Sequence, residues 1–168
     1  MIADDLRAAA KRLLDLCRRN GLRVATAESC TGGLVAAALT EIAGSSDVVE
    51  CGFVTYSNAA KGSMLGVPAA TLKQHGAVSE QTAVAMAAGA LARSQADLAV
   101  AITGIAGPGG GSKQKPVGLV HFAAASRDGR RLARHRRYGK IGRRRIRERS
   151  VAEALELLET LASGARGG

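Results

Sequence analysis

The sequence predicts an α/β protein, a three-layer α/β/α domain with a mostly parallel sheet, and three observations lead to this prediction. First, helical and β-prone segments alternate in the order helix–β–α–β–α–α–β–hairpin–helix. Second, the segment 97–103 is apolar along its length, as a strand covered on both faces should be. Third, 168 residues without an internal repeat or a linker suffice for one domain with a real core. We therefore expect a single domain over 1–168.

The elements follow from periodicity and from residues that end or cap helices. Leucines at helical spacing predict a helix over 3–20, and Gly21 is a typical stop. The turn at 127–130 between two β-prone segments predicts a hairpin, so at least one strand is antiparallel. The other predicted elements are strands at 22–26, 48–56 and 97–103, helices at 32–43, 57–61, 69–75, 80–95 and 143–162, hairpin strands at 119–125 and 132–138, and a frayed tail at 163–168.

Composition limits the class of protein. Apolar residues make up 46% of the chain but aromatic residues only 2%, so the core must consist of Ala, Val, Leu and Ile. Three cysteines without metal-ligand spacing are typical of a reducing compartment. The first residues carry two acids and no apolar run, which does not fit a signal peptide, and no segment reaches transmembrane length. We expect a cytoplasmic protein with no membrane partner.

Positive charge is concentrated in one segment. Residues 127–149 contain twelve Lys/Arg and two acids, so they carry the whole formal net charge of +10. Such a segment attracts an anionic partner, or it is the charged surface of an edge strand and a helix. Because no aromatic residues alternate with these arginines, we favour the charged surface and expect no nucleic acid partner.

The stretch 25–33, Ala-Thr-Ala-Glu-Ser-Cys-Thr-Gly-Gly, joins the first strand to the following helix. Open α/β sheets bind ligands at the carboxyl ends of their strands, and free N–H groups at a helix start favour an anion. This junction therefore predicts a nucleophile or a phosphate site, although a capped helix that happens to contain Ser and Thr remains an alternative. Its candidate residues are Ser29, Cys30, Thr31, Gly32 and Gly33.

Two further strand ends should lie beside this junction. Tyr56 and Lys61 follow the second strand, although spacing alone also allows Lys61 to be an ordinary surface residue. Thr103 and Gly104 end the third strand and open a long loop with five glycines between 104 and 111, which include Gly107. Such a loop lets backbone approach a ligand closely. It lacks the Gly-Lys-Ser/Thr ending of a P-loop, and a flexible linker is the alternative.

A serine nucleophile needs a base, and the sequence offers a lysine rather than a histidine. The three histidines lie in a turn and in the hairpin, where structural or exposed roles are expected. Burial would lower the pKa of Lys61, and Arg143 at the start of the last helix could lower it further or bind a phosphate. Cys30 remains a rival nucleophile, because a helix start lowers the pKa of a thiol. No Cys/His cluster indicates a metal site.

Four blocks together resemble the CinA C-terminal family, in the family's order and over about residues 5–162. They are Ala-Glu-Ser-Cys-Thr-Gly-Gly at 27–33, Gly-Phe-Val-Thr-Tyr-Ser-Asn-Ala-Ala-Lys at 52–61, His-Gly-Ala-Val-Ser-Glu at 75–80, and Thr-Gly-Ile-Ala-Gly-Pro at 103–108 with Lys-Pro-Val-Gly at 115–118. The sequence departs from the family at Gly109 and Gly142, where acids are frequent.

The resemblance implies a five-stranded mixed sheet and an enzyme that hydrolyses the carboxamide of nicotinamide mononucleotide to release ammonia. It implies Ser29 as the nucleophile, Lys61 as its base, and Tyr56 and Arg143 as assisting residues, with no cofactor. It also implies a small-molecule nucleotide substrate, and we expect a homo-oligomer, with a dimer favoured. The alternatives are a mononucleotide-binding module without turnover and, less favoured, a nucleic-acid binder that uses 127–149. We expect substrate contacts from Cys30, Thr31, Gly32, Gly33, Thr103, Gly104 and Gly107.

Overall fold

A five-stranded mixed sheet forms the middle layer of the protein. The structure is a computed structural model and describes residues 1–164. Its strands are β1 (Val24–Glu28), β2 (Val49–Val54), β3 (Leu98–Gly104), β4 (Leu119–Ser126) and β5 (Arg131–Arg137). In the sheet they stand in the order β2-β1-β3-β4-β5. β1 is parallel to β2 and β3, whereas β4 is antiparallel to β3 and β5. Four of the five strands therefore run in one direction.

Helices cover both faces of this sheet, which confirms the predicted three-layer fold. One apolar cluster joins the sheet to the first, second and last helices, and a second cluster joins the opposite face to the three central helices. The helices are α1 (Asp4–Asn20), α2 (Leu34–Thr40), α3 (Asn58–Leu65), α4 (Ala69–His75), α5 (Glu80–Ala92) and α6 (Arg143–Gly164), with a short 3-10 turn at Ser45–Asp47.

The two faces of the sheet are built from side chains of different size. Toward α1 and α6 the strands present large residues such as Leu98, Ile102 and Phe122, each fully buried. Toward α5 the strands present buried alanine side chains. Because alanine keeps helix and sheet close together, α5 packs closely on this face, where it contributes small side chains and the fully buried Met86. These alanines are Ala25, Ala27, Ala99, Ala101, Ala123 and Ala125.

Two boundaries around the first junction differ from the prediction. β1 continues to Glu28 because it is paired on both sides, with Glu28 opposite Val54 and Ile102. α2 begins only at its Leu34, since Gly32 and Gly33 adopt left-handed φ values of 58° and 98° that do not continue a helix. The turn between strand and helix is therefore later and tighter than the sequence predicted.

Other elements lie close to their predicted positions. Ser57 and Ser79 cap α3 and α5 by accepting hydrogen bonds from Ala60 N–H and Thr82 N–H. The hairpin is confirmed by the antiparallel pairing of β4 with β5. Of the predicted tail, 163–164 belong to α6, and 165–168 lie outside the described residues. Within 1–164, every helix falls short of the length or the apolar character needed to cross a bilayer.

Candidate active site

Ser29 and Lys61 meet at the carboxyl ends of β1 and β2. Ser29 directly follows β1, and its N–H donates to the Ile102 carbonyl at 2.9 Å. Lys61 lies in the first half of α3, and its Nζ donates to Ser29 Oγ at 3.0 Å. A second bond, of 2.8 Å, runs from Lys61 Nζ to the carbonyl of Thr55 just past β2. The hydroxyl and the amine are thus within hydrogen-bonding distance although 32 positions apart.

The surroundings of Lys61 favour a neutral amine. The residue is 1% exposed, and both of its hydrogen-bond acceptors are uncharged oxygens. Within residues 1–164 it forms no ion pair. Burial lowers the pKa of Lys61 below its ordinary value of 10.5. An amine of this kind can accept the proton of a neighbouring hydroxyl.

Cys30 is the rival nucleophile, and burial has the opposite effect on its reactivity. It is 5% exposed, and burial raises the pKa of its thiol to about 12. Because only the thiolate is a strong nucleophile, the buried thiol stays unreactive near neutral pH. The position near the start of α2 does not make the thiol acidic, since burial dominates and Glu28 beside it also raises the thiol pKa. The geometry therefore favours Ser29 over Cys30.

The turn after Ser29 uses two of the four N–H groups from residues 30 to 33 within itself. Gly32 N–H donates to the Ser29 carbonyl at 2.9 Å, and Gly33 N–H donates to the Glu28 carboxylate at 3.0 Å. The N–H groups of Cys30 and Thr31 have no acceptor within residues 1–164. Of these two residues only Cys30 also lines the pocket, so its N–H is the one placed to serve an oxyanion there.

Arg143 links two loops across the site. From the first residue of α6, its Nη1 donates to the Gly107 carbonyl at 2.8 Å and its Nη2 donates to the Tyr56 hydroxyl at 2.9 Å. Tyr56 is 59% exposed, so it stands at the rim. On the next turn of α6, Arg147 donates to the Thr31 carbonyl at 3.0 Å. Two arginines of one helix thus contact all three loops that follow the parallel strands.

A pocket of about 280 Å³ opens above the serine and lysine. Thr103 in its wall is fixed by a 2.7 Å bond from its hydroxyl to the Ala77 carbonyl. Of the residues predicted from the sequence, the pocket wall contains Ser29, Cys30, Tyr56, Lys61, Thr103, Gly104, Gly107 and Arg143.

Three predicted binding residues lie outside this wall. Thr31 is fully buried, and neither Gly32 nor Gly33 lines the pocket. At the start of α2, where the sequence suggested an anion, the N–H groups of Gly33, Val35 and Ala36 donate to the Glu28 carboxylate. The side chain of Arg147 lies 3.4 Å from where a Cβ on Gly32 would stand, which further crowds that spot.

Ala77 and Val78 shape the site although no role was predicted for them, whereas Gly109 and Gly110 belong to the predicted glycine-rich loop. Ala77 and Val78 precede α5 and form one wall, and Gly109 and Gly110 of the long loop form another. Ala77 and Val78 lie in one of the four blocks of the resemblance, which was the available signal. The histidines do not line the pocket; His121 and His135 face each other with ring centroids 5.5 Å apart. Residues 1–164 contain no group of three or more His, Cys, Asp or Glu that could hold a metal ion.

These features define an α/β/α domain whose sheet edge carries a serine beside a buried lysine, in a pocket closed by a glycine-rich loop. The chain belongs to the CinA family: the model of the CinA C-terminal domain matches residues 6–162.

Curated relatives and a solved structure agree with this assignment. A "CinA-like protein" of Mycobacterium marinum is 57% identical over 84% of this chain and 33% of its own length, so the chain spans about a third of that relative. The nicotinamide-nucleotide amidohydrolase PncC of Escherichia coli K12 is 49% identical over 94% of this chain and 95% of its own length. The crystal structure of the competence/damage inducible protein CihA from Agrobacterium tumefaciens is 58% identical, with a TM-score of 0.95 over 96% of this chain and 98% of that one.

Proposed function

We propose that this protein hydrolyses nicotinamide mononucleotide to nicotinate mononucleotide and ammonia, with Ser29 as nucleophile and Lys61 as general base. The observation that carries the proposal is the 3.0 Å contact of a buried, unpaired lysine with a serine inside a pocket. The printed activity of the Escherichia coli PncC relative, which matches this chain almost end to end, supports the substrate.

In the first half of the reaction Ser29 Oγ attacks the carboxamide carbon while neutral Lys61 takes the hydroxyl proton. The N–H group of Cys30, which lines the pocket, is the candidate to stabilise the oxyanion. When the carbon–nitrogen bond breaks, the Lys61 ammonium returns the proton to the leaving nitrogen, and ammonia departs. A nicotinoyl ester on Ser29 remains.

In the second half water attacks this ester, and Lys61 accepts a proton from the water. The ester bond to Ser29 Oγ then breaks, Oγ recovers its proton from Lys61, and nicotinate mononucleotide leaves. A lysine that cycles between neutral and charged forms needs the lowered pKa that burial gives to Lys61.

The phosphate of the substrate has its best partners at the rim. A pocket of about 280 Å³ is at the lower end of the size range of ligand sites, so the nicotinamide ring fills it and the phosphate lies outside. Arg143 keeps unused N–H groups beside its bonds to Gly107 and Tyr56. Backbone of the loop 104–111 flanks the same opening.

Ammonia release from purified protein tests the proposal. We expect release from nicotinamide mononucleotide in the wild type, almost complete loss in Ser29→Ala, and activity within about 3-fold of wild type in Cys30→Ala. Activity that survives Ser29→Ala and disappears in Cys30→Ala would reverse the choice of nucleophile. Tight mononucleotide binding without ammonia release would instead identify the non-catalytic binding module.

Compartment and assembly belong to the same proposal. Cys17, Cys30 and Cys51 are free thiols, which supports a reducing compartment such as the cytoplasm. The homo-oligomer, with a dimer favoured, stays a prediction. Light scattering on the eluted protein would measure its mass directly.

A further inference from the structure

Glu28 is a fully buried acid placed directly before the proposed nucleophile. Its carboxylate accepts three backbone hydrogen bonds, from Gly33 at 3.0 Å, Val35 at 3.1 Å and Ala36 at 2.9 Å. Within residues 1–164 no lysine, arginine or histidine forms an ion pair with it. Backbone dipoles at the start of α2 are therefore its direct hydrogen-bond partners.

We propose that Glu28 is a positioning residue that holds the Ser29 turn in its reactive geometry. The inference rests on the proposed function, in which Ser29 is the nucleophile. Glu28 does not line the pocket, so it acts through the turn and not on the substrate.

The argument starts from the flexibility of the turn. Gly32 and Gly33 are the residues that lose most freedom when a loop is fixed, and both have left-handed φ values. The Glu28 carboxylate accepts a hydrogen bond from the N–H of Gly33, so this bond closes the turn from Glu28 to Gly33 into a ring. Inside this ring, Gly32 N–H donates to the Ser29 carbonyl.

The fixed turn sets the distance that matters for the reaction. Ser29 Oγ stands 3.0 Å from Lys61 Nζ, and the two groups belong to different elements. The β1 backbone ends with a bond from Thr55 N–H to the Glu28 carbonyl at 2.9 Å, so Glu28 ties the turn to β2 as well as to α2. Because a displacement of about 1 Å can reduce a rate about 100-fold, loosening this ring should slow the reaction.

Occupation of the α2 start has a second effect. The Glu28 carboxylate takes the N–H groups that would otherwise attract an anion. Its negative charge also repels a phosphate at this position. The substrate phosphate is thereby left to Arg143, which lines the pocket, whereas no residue of the α2 start does.

The test compares Glu28→Gln with the matched variant Glu153→Gln. Glutamine at position 28 has nearly the same shape as glutamate, but its NH₂ group is a donor and would face one of the backbone N–H groups that now donate to the carboxylate. We expect kcat to fall about 10- to 100-fold in Glu28→Gln while KM stays within about 3-fold. Glu153 is also a buried glutamate, on α6, where it binds Arg134 and Arg136. Glu153→Gln should keep kcat within about 2-fold.

A second measurement does not depend on the nicotinamide substrate. Phenylmethanesulfonyl fluoride forms a bond from its sulfur to Ser29 Oγ, fluoride leaves, and the hydroxyl proton passes to Lys61. We expect mass spectrometry to show labelling of wild type and Glu153→Gln at similar rates, labelling at least about 10-fold slower in Glu28→Gln, and none at position 29 in Ser29→Ala.

The outcomes separate this inference from the proposed function. Slower labelling in Glu28→Gln, in a wild type that releases no ammonia, would support the role of Glu28 and overturn the substrate. Equal kcat and equal labelling in both glutamine variants would overturn the role of Glu28, as would a wild type that is neither labelled nor active. If Glu28→Gln does not fold, Glu28→Asp takes its place, with a lowered kcat expected because the shorter carboxylate cannot reach all three donors.

Discussion

Within residues 1–164, two helices bury a lysine or glutamate side chain, and the two sites have opposite designs. Glu153 of α6 is 8% exposed and binds Arg134 and Arg136 from β5. Lys61 of α3 is 1% exposed and binds only the uncharged oxygens of Ser29 and Thr55. A buried charge that meets opposite charges holds a helix to a strand. A buried amine without one is free to lose its proton, which suits it to chemistry.

The pKa shifts follow the same division. Burial lowers the pKa of Lys61, and the smaller opposing effect of the Cys30 thiol does not reverse it. Burial by itself would raise the pKa of Glu153, but hydrogen bonds from Arg136 and Arg134 outweigh it and hold that pKa below the ordinary value. The paired group keeps its charge and the unpaired group tends to give it up.

The largest expected effect is on the rate in Lys61→Met. Methionine fills the same volume but accepts no proton, so kcat for ammonia release should fall about 1,000-fold or more. Circular dichroism should show a retained fold, because no ion pair is lost. Measurable activity within about 10-fold of wild type would show that the buried amine is not the base.

The next effect is on pH dependence. The proposed mechanism needs neutral Lys61, so it predicts that kcat/KM falls as the pH decreases through a midpoint below 10.5. Since the folded state releases this proton more readily than the unfolded state, the unfolding free energy should rise with pH between the lowered pKa and 10.5. Lys61→Met should lack this slope in urea unfolding at a series of pH values.

Glu153 should affect the unfolding free energy at acid pH. Its folded pKa is depressed below 4.5, so its stabilisation is present above that value and is lost as the pH falls through the folded pKa. In Glu153→Gln this acid-side loss should be absent from the same unfolding series. An unchanged acid limb would mean that the arginines contribute nothing through this residue.

A smaller effect is expected on stability in Glu153→Ala. Removing the acid leaves Arg136 without its carboxylate and leaves Arg134 with only Glu156. Both arginines are partly exposed, so the unfolding free energy should drop by about 1–3 kcal/mol, less than the ~3–5 kcal/mol of a fully buried broken pair. Chemical denaturation measures this value, and kcat on the remaining folded protein should be unchanged.

The smallest effect is expected for Arg131 and Arg137, which lie at the two ends of β5 on either side of the paired arginines. Neither forms an ion pair or a hydrogen bond through its side chain within residues 1–164. The double variant Arg131→Ser/Arg137→Ser should change the unfolding free energy by at most about 0.5 kcal/mol. Strong, salt-dependent retention of the wild type on DNA that this variant loses would favour the nucleic-acid alternative.

The meeting of Ser29 with Lys61 could be predicted from the sequence because it follows from topology. Carboxyl ends of parallel strands collect at one edge, and the two residues directly follow or lie close after such ends. The resemblance implied Ser29, but the residues alone could not separate it from Cys30, since the choice depends on which side chain Lys61 contacts and on the burial of the thiol. The pattern Ser-Cys-Thr contains no information on burial.

The predictions for the α2 start and the basic segment were incomplete for one common reason. Each prediction used only neighbouring residues in the sequence. The acids that bind these groups lie across a turn or on another element. Glu28 reaches forward to the N–H groups of Gly33, Val35 and Ala36. The excess charge counted over 127–149 is partly balanced by Glu153 and Glu156, which follow the counted segment and pair with β5.

The division of the pocket wall has a consequence for how such a protein can change. The serine and the lysine stand on a strand end and a helix that are fixed by the sheet, whereas the opposite wall is a loop from Ile105 to Gly110. In the proposed mechanism, a change in this loop would alter which molecule enters the pocket and would leave Ser29 and Lys61 in place. Selectivity and reactivity would then depend on separate parts of the chain.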